Sequence, residues 1–149
     1  DHVPNVGSNI GMALPDADDE TDIAAVPGRV HAMRGRVNVP SNPEFGASKH
    51  VARTLLAVMA VDPEIRGAVN LATSEALLDA ASEQGLDTCA FDANYENRTE
   101  RIRSLLADRE CVPRVLYHEG AFGIEPIAYV LGESAVDAVE TAVDCLQRV

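Results

Sequence analysis

Short apolar runs alternate with four amphipathic segments through the last two thirds of the chain, and this alternation constrains the fold more than any other feature. Val51, Leu55, Val58 and Met59 fall at i, i+4, i+7 and i+8, which places them on one face of a helix. A helix is therefore predicted from 48 to about 61. The run GAVNLA predicts a buried strand over 67–72, interrupted by Asn70. A second helix is predicted over 73–84, with Gly85 as its stop signal. Strands over 88–92, 111–117 and 126–131 and helices over 98–108 and 134–146 complete the pattern. Segments of this kind bury their apolar faces as helices on both sides of a sheet, an α/β architecture. Further upstream, residues 29–33 and 36–39 read as a hairpin turning at Arg34-Gly35. That hairpin predicts a mixed sheet.

At 149 residues and 46% hydrophobic, the chain has room for one core, and the whole of 1–149 reads as a single domain. With no Met at its start, it reads as one part of a longer chain. It contains no apolar run of about 18 residues, the length a membrane helix requires, and no signal-peptide pattern at its start. Its three cysteines, Cys89, Cys111 and Cys145, are widely spaced, which fits a reduced, cytoplasmic protein with mostly buried thiols. The stretch 16–22, DADDETD, is acidic but lacks the glycine and final glutamate of a calcium loop, so it is expected to be a solvated loop.

The stretch PGRVHAMRGRVNVPSNPEFGASKHVAR, residues 27–53, carries the chemical signal. A Pro-Gly turn delivers Arg29, and the loop containing Gly46 opens into the first helix. Ser48 suits the N-cap, because its hydroxyl can accept from a first-turn N–H. A helix start beside small residues favours an anion. His50 and Arg53 are three apart and can share a face. Later, Gly120 and Gly123 lie in HEGAFGIE, where glycines let backbone amides turn toward an anion. A phosphate-bearing ligand follows from this pattern. A net charge of −12 argues against a nucleic-acid surface, which needs clustered cations. Phe45, Tyr117, Phe122 and a few others are the candidate stacking partners for a heteroaromatic ring.

The pieces PGRV and FGASKHVAR, with VGSNIGMALPDADDETDIAAVPGR before them and DPEIRGAVNLA and GAFGIEPIAYVLG after, resemble the ThiN family. Its members are thiamine-phosphate synthase domains and ligand-sensing domains of archaeal helix-turn-helix regulators. The resemblance implies an AraD-aldolase-like three-layer α/β/α sandwich. It links Arg29 and His50 to catalysis and brings Ser8, Asn9, Asn70 and Glu125 toward the ligand, which would be thiamine phosphate or its precursors. The motifs name no cofactor and no protein metal site, although Mg2+ would be compatible with a pyrophosphate. A homodimer is an open arrangement.

Synthases of the family commonly carry a Lys where this chain has Ile124. A lost cation favours the sensing part of a transcription regulator of thiamine biosynthesis, with a DNA-binding part before residue 1. The alternative is a synthase that condenses hydroxymethylpyrimidine pyrophosphate with thiazole phosphate.

With 24 acidic residues against 12 lysines and arginines, only one of which is a lysine (Lys49), the composition resembles proteins of salt-loving archaea. Unscreened like charges oppose the compact state. Raising KCl from low to molar levels shortens the screening length to about 3 Å. The melting temperature is expected to rise with it, and a flat or falling trend would contradict this.

Overall fold

The computed structural model describes residues 2–94 and 96–149. Nine strands and four α-helices are found among them. In chain order they are β1 (Ile10–Ala13), β2 (Ile23–Ala25), β3 (His31–Met33), β4 (Arg36–Asn38), β5 (Glu44–Phe45), α1 (Lys49–Met59), β6 (Gly67–Ala72), α2 (Glu75–Glu83), β7 (Thr88–Ala90), α3 (Arg98–Ala107), β8 (Val115–His118), β9 (Ile127–Gly132) and α4 (Ala135–Leu146). Three of the helices start the same way. Ser48, Ser74 and Ser134 are extended N-caps whose hydroxyls accept from Val51, Leu77 and Asp137 N–H, each satisfying a donor the helix cannot. A one-turn 3-10 helix, Glu20–Asp22, capped by Asp19, occupies the acidic loop.

Seven strands form one sheet in the order β5-β2-β1-β6-β9-β8-β7. Its side chains alternate between two cores, as a pleated strand requires. Ala68, Leu116, Tyr129 and Leu131 pack with Leu55 and Val58 of α1 and Ile102 and Leu106 of α3. Val69, Leu71, Val115, Ala128 and Val130 pack with Leu77 of α2 and Ala138 and Ala142 of α4. The result is a three-layer α/β/α sandwich.

The sheet is mixed, but not for the expected reason. Its only parallel pairing among the described residues is β7 with β8; the other neighbours run antiparallel. The hairpin β3–β4 forms where expected, with Arg34 and Gly35 both at positive φ, but as a separate two-stranded sheet. Just before it, Val30 forms an isolated antiparallel bridge with Ser8. Its alternating residues have no buried face to join: Met33 and Val37 are exposed. Cys89 and Cys145 are buried, whereas Cys111 is exposed. No helix among the described residues is long and apolar enough to cross a membrane.

The helix α4 lies so close on the sheet that a Cβ on Gly67 would overlap the backbone at Ser134. Overfilling a packed layer typically costs about 1–3 kcal/mol. Gly67→Ala is expected to destabilise by at least about 2 kcal/mol, read from the midpoint of urea unfolding. An unchanged midpoint would mean that α4 does not sit on that strand.

Candidate functional site

On the α1 side of the sheet, the apolar layer stops at one end of the strands. Two residues beyond Ala68 on the same face comes Asn70; two beyond Leu116 comes His118; Tyr129 lies opposite Asn70 in register. The N-terminus of α1 and the N-terminus of α3 meet this polar end. Together they enclose a cleft of about 160 Å³ lined by Asn9, Arg29, Ser48, His50, Asn70, Arg98, His118 and Tyr129, with Val6, Gly7, Val51 and Ile127.

The segment 26–29 is a β-turn closed by Arg29 N–H to Val26 O at 3.2 Å. Pro27 and Gly28 occupy its centre, Gly28 at φ 77°, which suits a type II turn. Arg29 itself has φ 65°, a left-handed conformation that a non-glycine residue holds only under constraint. Two contacts supply it. Arg29 Nη1 donates to Val6 O at 2.6 Å, and the Val6 N–H in turn donates to the Glu125 carboxylate at 3.1 Å, beside Asn5 N–H at 2.8 Å. Glu125 thus holds the strand of backbone on which Arg29 rests.

The two asparagines in the lining are occupied by backbone. Asn9 accepts from Ile10 and Val26 N–H and donates to Val26 O. Asn70 accepts from Asn9 N–H at 2.5 Å and donates to Gly7 O at 3.3 Å. They fix the walls of the cleft. Ser48 also serves the backbone, its Oγ accepting from Val51 N–H.

Charge in the cleft is positive. Among the described residues the lining contains no Asp or Glu, so the cleft fits an anion. Burial first, then the charges of Arg98, Arg29 and Arg53, push the His50 pKa down. His118 is pushed down to about 4, by burial and then by Arg98. Both rings are thus biased toward the neutral form. Arg53 itself turns to Glu20 at 3.1 Å and is not part of the lining.

Of the residues singled out from the sequence, Asn9, Arg29, Ser48, His50 and Asn70 come together in the cleft; Ser8, Gly46, Gly120, Gly123 and Glu125 lie outside its lining. Ser8 is buried behind the wall, bridged to Val30. Gly46 donates its N–H to Ile23 O. Gly120 donates to His118 Nδ1, and Gly123 is in the turn closed by Ala121 and Ile124. The aromatic wall differs as well. Phe45 and Phe122 are exposed and Tyr117 packs on the opposite face of the sheet. Phe91 instead stands edge-on to His118 at 5.2 Å and near Tyr129 at 6.3 Å.

Sequence reasoning passed over Arg98, His118 and Tyr129. Arg98 is 4% exposed, donates to Tyr129 OH at 3.2 Å and sits over the Phe91 ring at 5.4 Å. Its signal was a cation on the first turn of a helix, where the dipole disfavours one. Asn97, the N-cap, is left-handed and makes no side-chain cap.

An α/β/α sandwich with an arginine- and histidine-lined cleft at the start of a helix is suited to a small anionic molecule. The family described as "Thiamine-phosphate synthase ThiN" matches residues 1–144. The chain is 33% identical to the thiamine-phosphate synthase ThiN of Methanothermobacter thermautotrophicus, over 98% of this chain and 82% of that protein. It is 31% identical to the bifunctional thiamine biosynthesis protein ThiDN of Methanocaldococcus jannaschii, over 99% of this chain but 36% of that one. Its fold is similar to a crystal structure of the C-terminal domain of phosphomethylpyrimidine kinase, with TM-score 0.86, 28% identity, and 97% and 87% of the two chains covered. An aldolase II superfamily protein from Pseudomonas syringae has the same fold at TM-score 0.51 and 11% identity, with 97% and 66% covered. The chain belongs to the thiamine-phosphate synthase ThiN family.

The support of Arg29 by Glu125 can be tested directly. Glu125→Ala is expected to weaken binding of inorganic pyrophosphate about tenfold, the range for losing a hydrogen bond to a charged group. Calorimetry at high salt reads it, with Glu125→Gln falling between the variant and the parent. Unchanged affinity in Glu125→Ala would mean that Arg29 is placed without it.

Proposed function

We propose that this chain is a thiamine-phosphate synthase domain, which joins a hydroxymethylpyrimidine pyrophosphate to a thiazole phosphate. The observation that supports this is the gathering of Arg29, Arg98 and His50 about one cleft with no carboxylate among its described lining residues, in a chain similar to proteins named for thiamine-phosphate synthesis. In this reaction the bond from the pyrimidine methylene carbon to the pyrophosphate oxygen breaks, and its electron pair leaves with pyrophosphate. The thiazole nitrogen forms the new bond to that carbon. The products are thiamine phosphate and pyrophosphate.

Charge accumulates on the leaving oxygen, so groups that bind it more tightly in the transition state accelerate the step. Arg29 is suited to hold phosphate oxygens with its planar fork. One of its nitrogens is already tied to Val6 O, which fixes the direction of the others. His50, biased toward its neutral form, donates a hydrogen bond without adding a charge. An anion bound beside it favours the protonated ring, which would let it supply a proton to the departing oxygen.

The sensor reading drew on Ile124. That residue pairs with Ala121 through its backbone and its side chain is not among those lining the cleft. A lysine missing there leaves the cleft's own cations in place, and the synthase reading takes precedence.

Product formation from saturating precursors tests the assignment. Wild type is expected to turn over, Arg29→Ala to lose about 10²–10³ in rate, as for loss of a transition-state donor, and His50→Ala to lose a comparable factor. Ile124→Lys is expected to stay within about twofold of wild type. Tight binding of thiamine phosphate with no turnover at all would restore the sensor reading.

A further inference from the structure

His118 has a wiring that neither the fold nor the proposed step at Arg29 and His50 uses. The residue is 2% exposed, its ring stands edge-on against Phe91 at 85° between planes, and it forms part of the cleft lining. One ring nitrogen is committed: the Gly120 N–H donates to Nδ1 at 3.2 Å. An imidazole nitrogen that accepts a hydrogen bond carries no proton, so in the neutral ring the proton is on Nε2. The low pKa of His118, about 4, agrees with this neutral state. No protein group meets Nε2 among the described residues, and it is the nitrogen left for the cleft. The nearby guanidinium of Arg98, which also lies over Phe91, gives this end of the cleft a positive charge.

We propose that His118, locked as the Nε2–H tautomer by the Gly120 N–H, is a ligand-contacting donor that binds a phosphate-type oxygen beside Arg98. The assignment rests on the synthase reading for the identity of the natural ligand, but not for the chemistry of the contact. A neutral donor next to a cation binds an anionic oxygen without placing two positive charges side by side. The turn containing Gly120 and Gly123 then has an indirect role. It does not present its own amides to the anion; it spends one of them on fixing the histidine.

Two near-isosteres separate this from a purely structural role. In His118→Asn the amide oxygen stands near the place of Nδ1, so the Gly120 bond can persist while nothing reaches the place of Nε2. In His118→Gln the amide nitrogen stands near the place of Nε2 and can still donate into the cleft. Inorganic pyrophosphate is the probe, titrated by calorimetry, with ¹⁵N-histidine spectra of the wild-type protein recorded alongside and thermal melts confirming that each variant folds. The proposal expects His118→Asn to weaken pyrophosphate binding about ten- to hundredfold, the range for a hydrogen bond to a charged group. It expects His118→Gln to stay within about fivefold of wild type, and the wild-type Nε2 resonance to move on addition of pyrophosphate. Wild-type affinity in a folded His118→Asn, or a resonance that does not move, overturns it. So does the reverse order of the variants, which would make His118 only the support of its loop. Failure of the synthase reading is seen separately, as pyrophosphate binding by wild type without condensation of the two precursors; that outcome leaves the His118 contact standing.

Discussion

The pairing of β6 with β9 is the constraint on which the rest of the structure depends. Six consecutive residue pairs, from Gly67 with Gly132 to Ala72 with Ile127, form an antiparallel ladder buried on both faces. Once both faces are covered by helices, no ligand can reach the sheet through its middle. A site can exist only where the strands run out and helix ends meet them, and that is where Asn70, Tyr129 and His118 interrupt the apolar alternation. The glycines at the other end of the ladder serve the opposite purpose, allowing α4 to press against the strands with no side chain between them.

In and around the cleft, polar residues divide into those that hold the walls and those that face the interior. Asn9, Asn70, Ser48 and Glu125 spend their hydrogen bonds on backbone groups that regular structure leaves unpaired. For the buried Asn9 and Asn70 this is the usual fate of a polar side chain. It also ties down the loop 5–9, which Glu125, Arg29 and Asn70 hold at Asn5, Val6, Gly7 and Asn9. Preorganisation of this kind counts for more at an anion site than the number of donors, since side chains already in place need not be ordered when the ligand arrives.

Much of this was legible in the sequence. The helical period of α1, the turn at Arg34-Gly35 and the cap at Ser48 are local signals, and each formed as read. The three-layer architecture followed from alternation and from the family resemblance. Other features depend on contacts distant in sequence. Strands β2 and β5 are three and two residues long, too short for a period; β2 exists because β1 offers it an edge, and β5 because β2 does. Glu125 and Val6 are 119 positions apart, so nothing local marks the carboxylate as a clamp rather than a ligand contact. Phe122 has the composition of a site residue and the exposure of a loop tip. Arg98 and His118 are buried by the packing of α3 and β8, and a lone charged residue in a sequence reads as surface.

The contrast between the cleft and the rest of the surface has a kinetic consequence. An anionic molecule approaching from solution meets the field of a chain with net charge −12 before it meets the arginines. The repulsion is long-ranged, reaching about 30 Å at 0.01 M salt and about 8 Å at 0.15 M. The attraction is confined to a recess a few side chains wide. Added salt therefore screens the barrier to encounter more than it screens the final contacts, and the association rate constant of a phosphate ligand should climb with ionic strength. That is the inverse of the behaviour of proteins that steer their ligands electrostatically. The acidic surface from which a salt-dependent fold is expected would, by the same screening, make the cleft easiest to enter where salt is abundant.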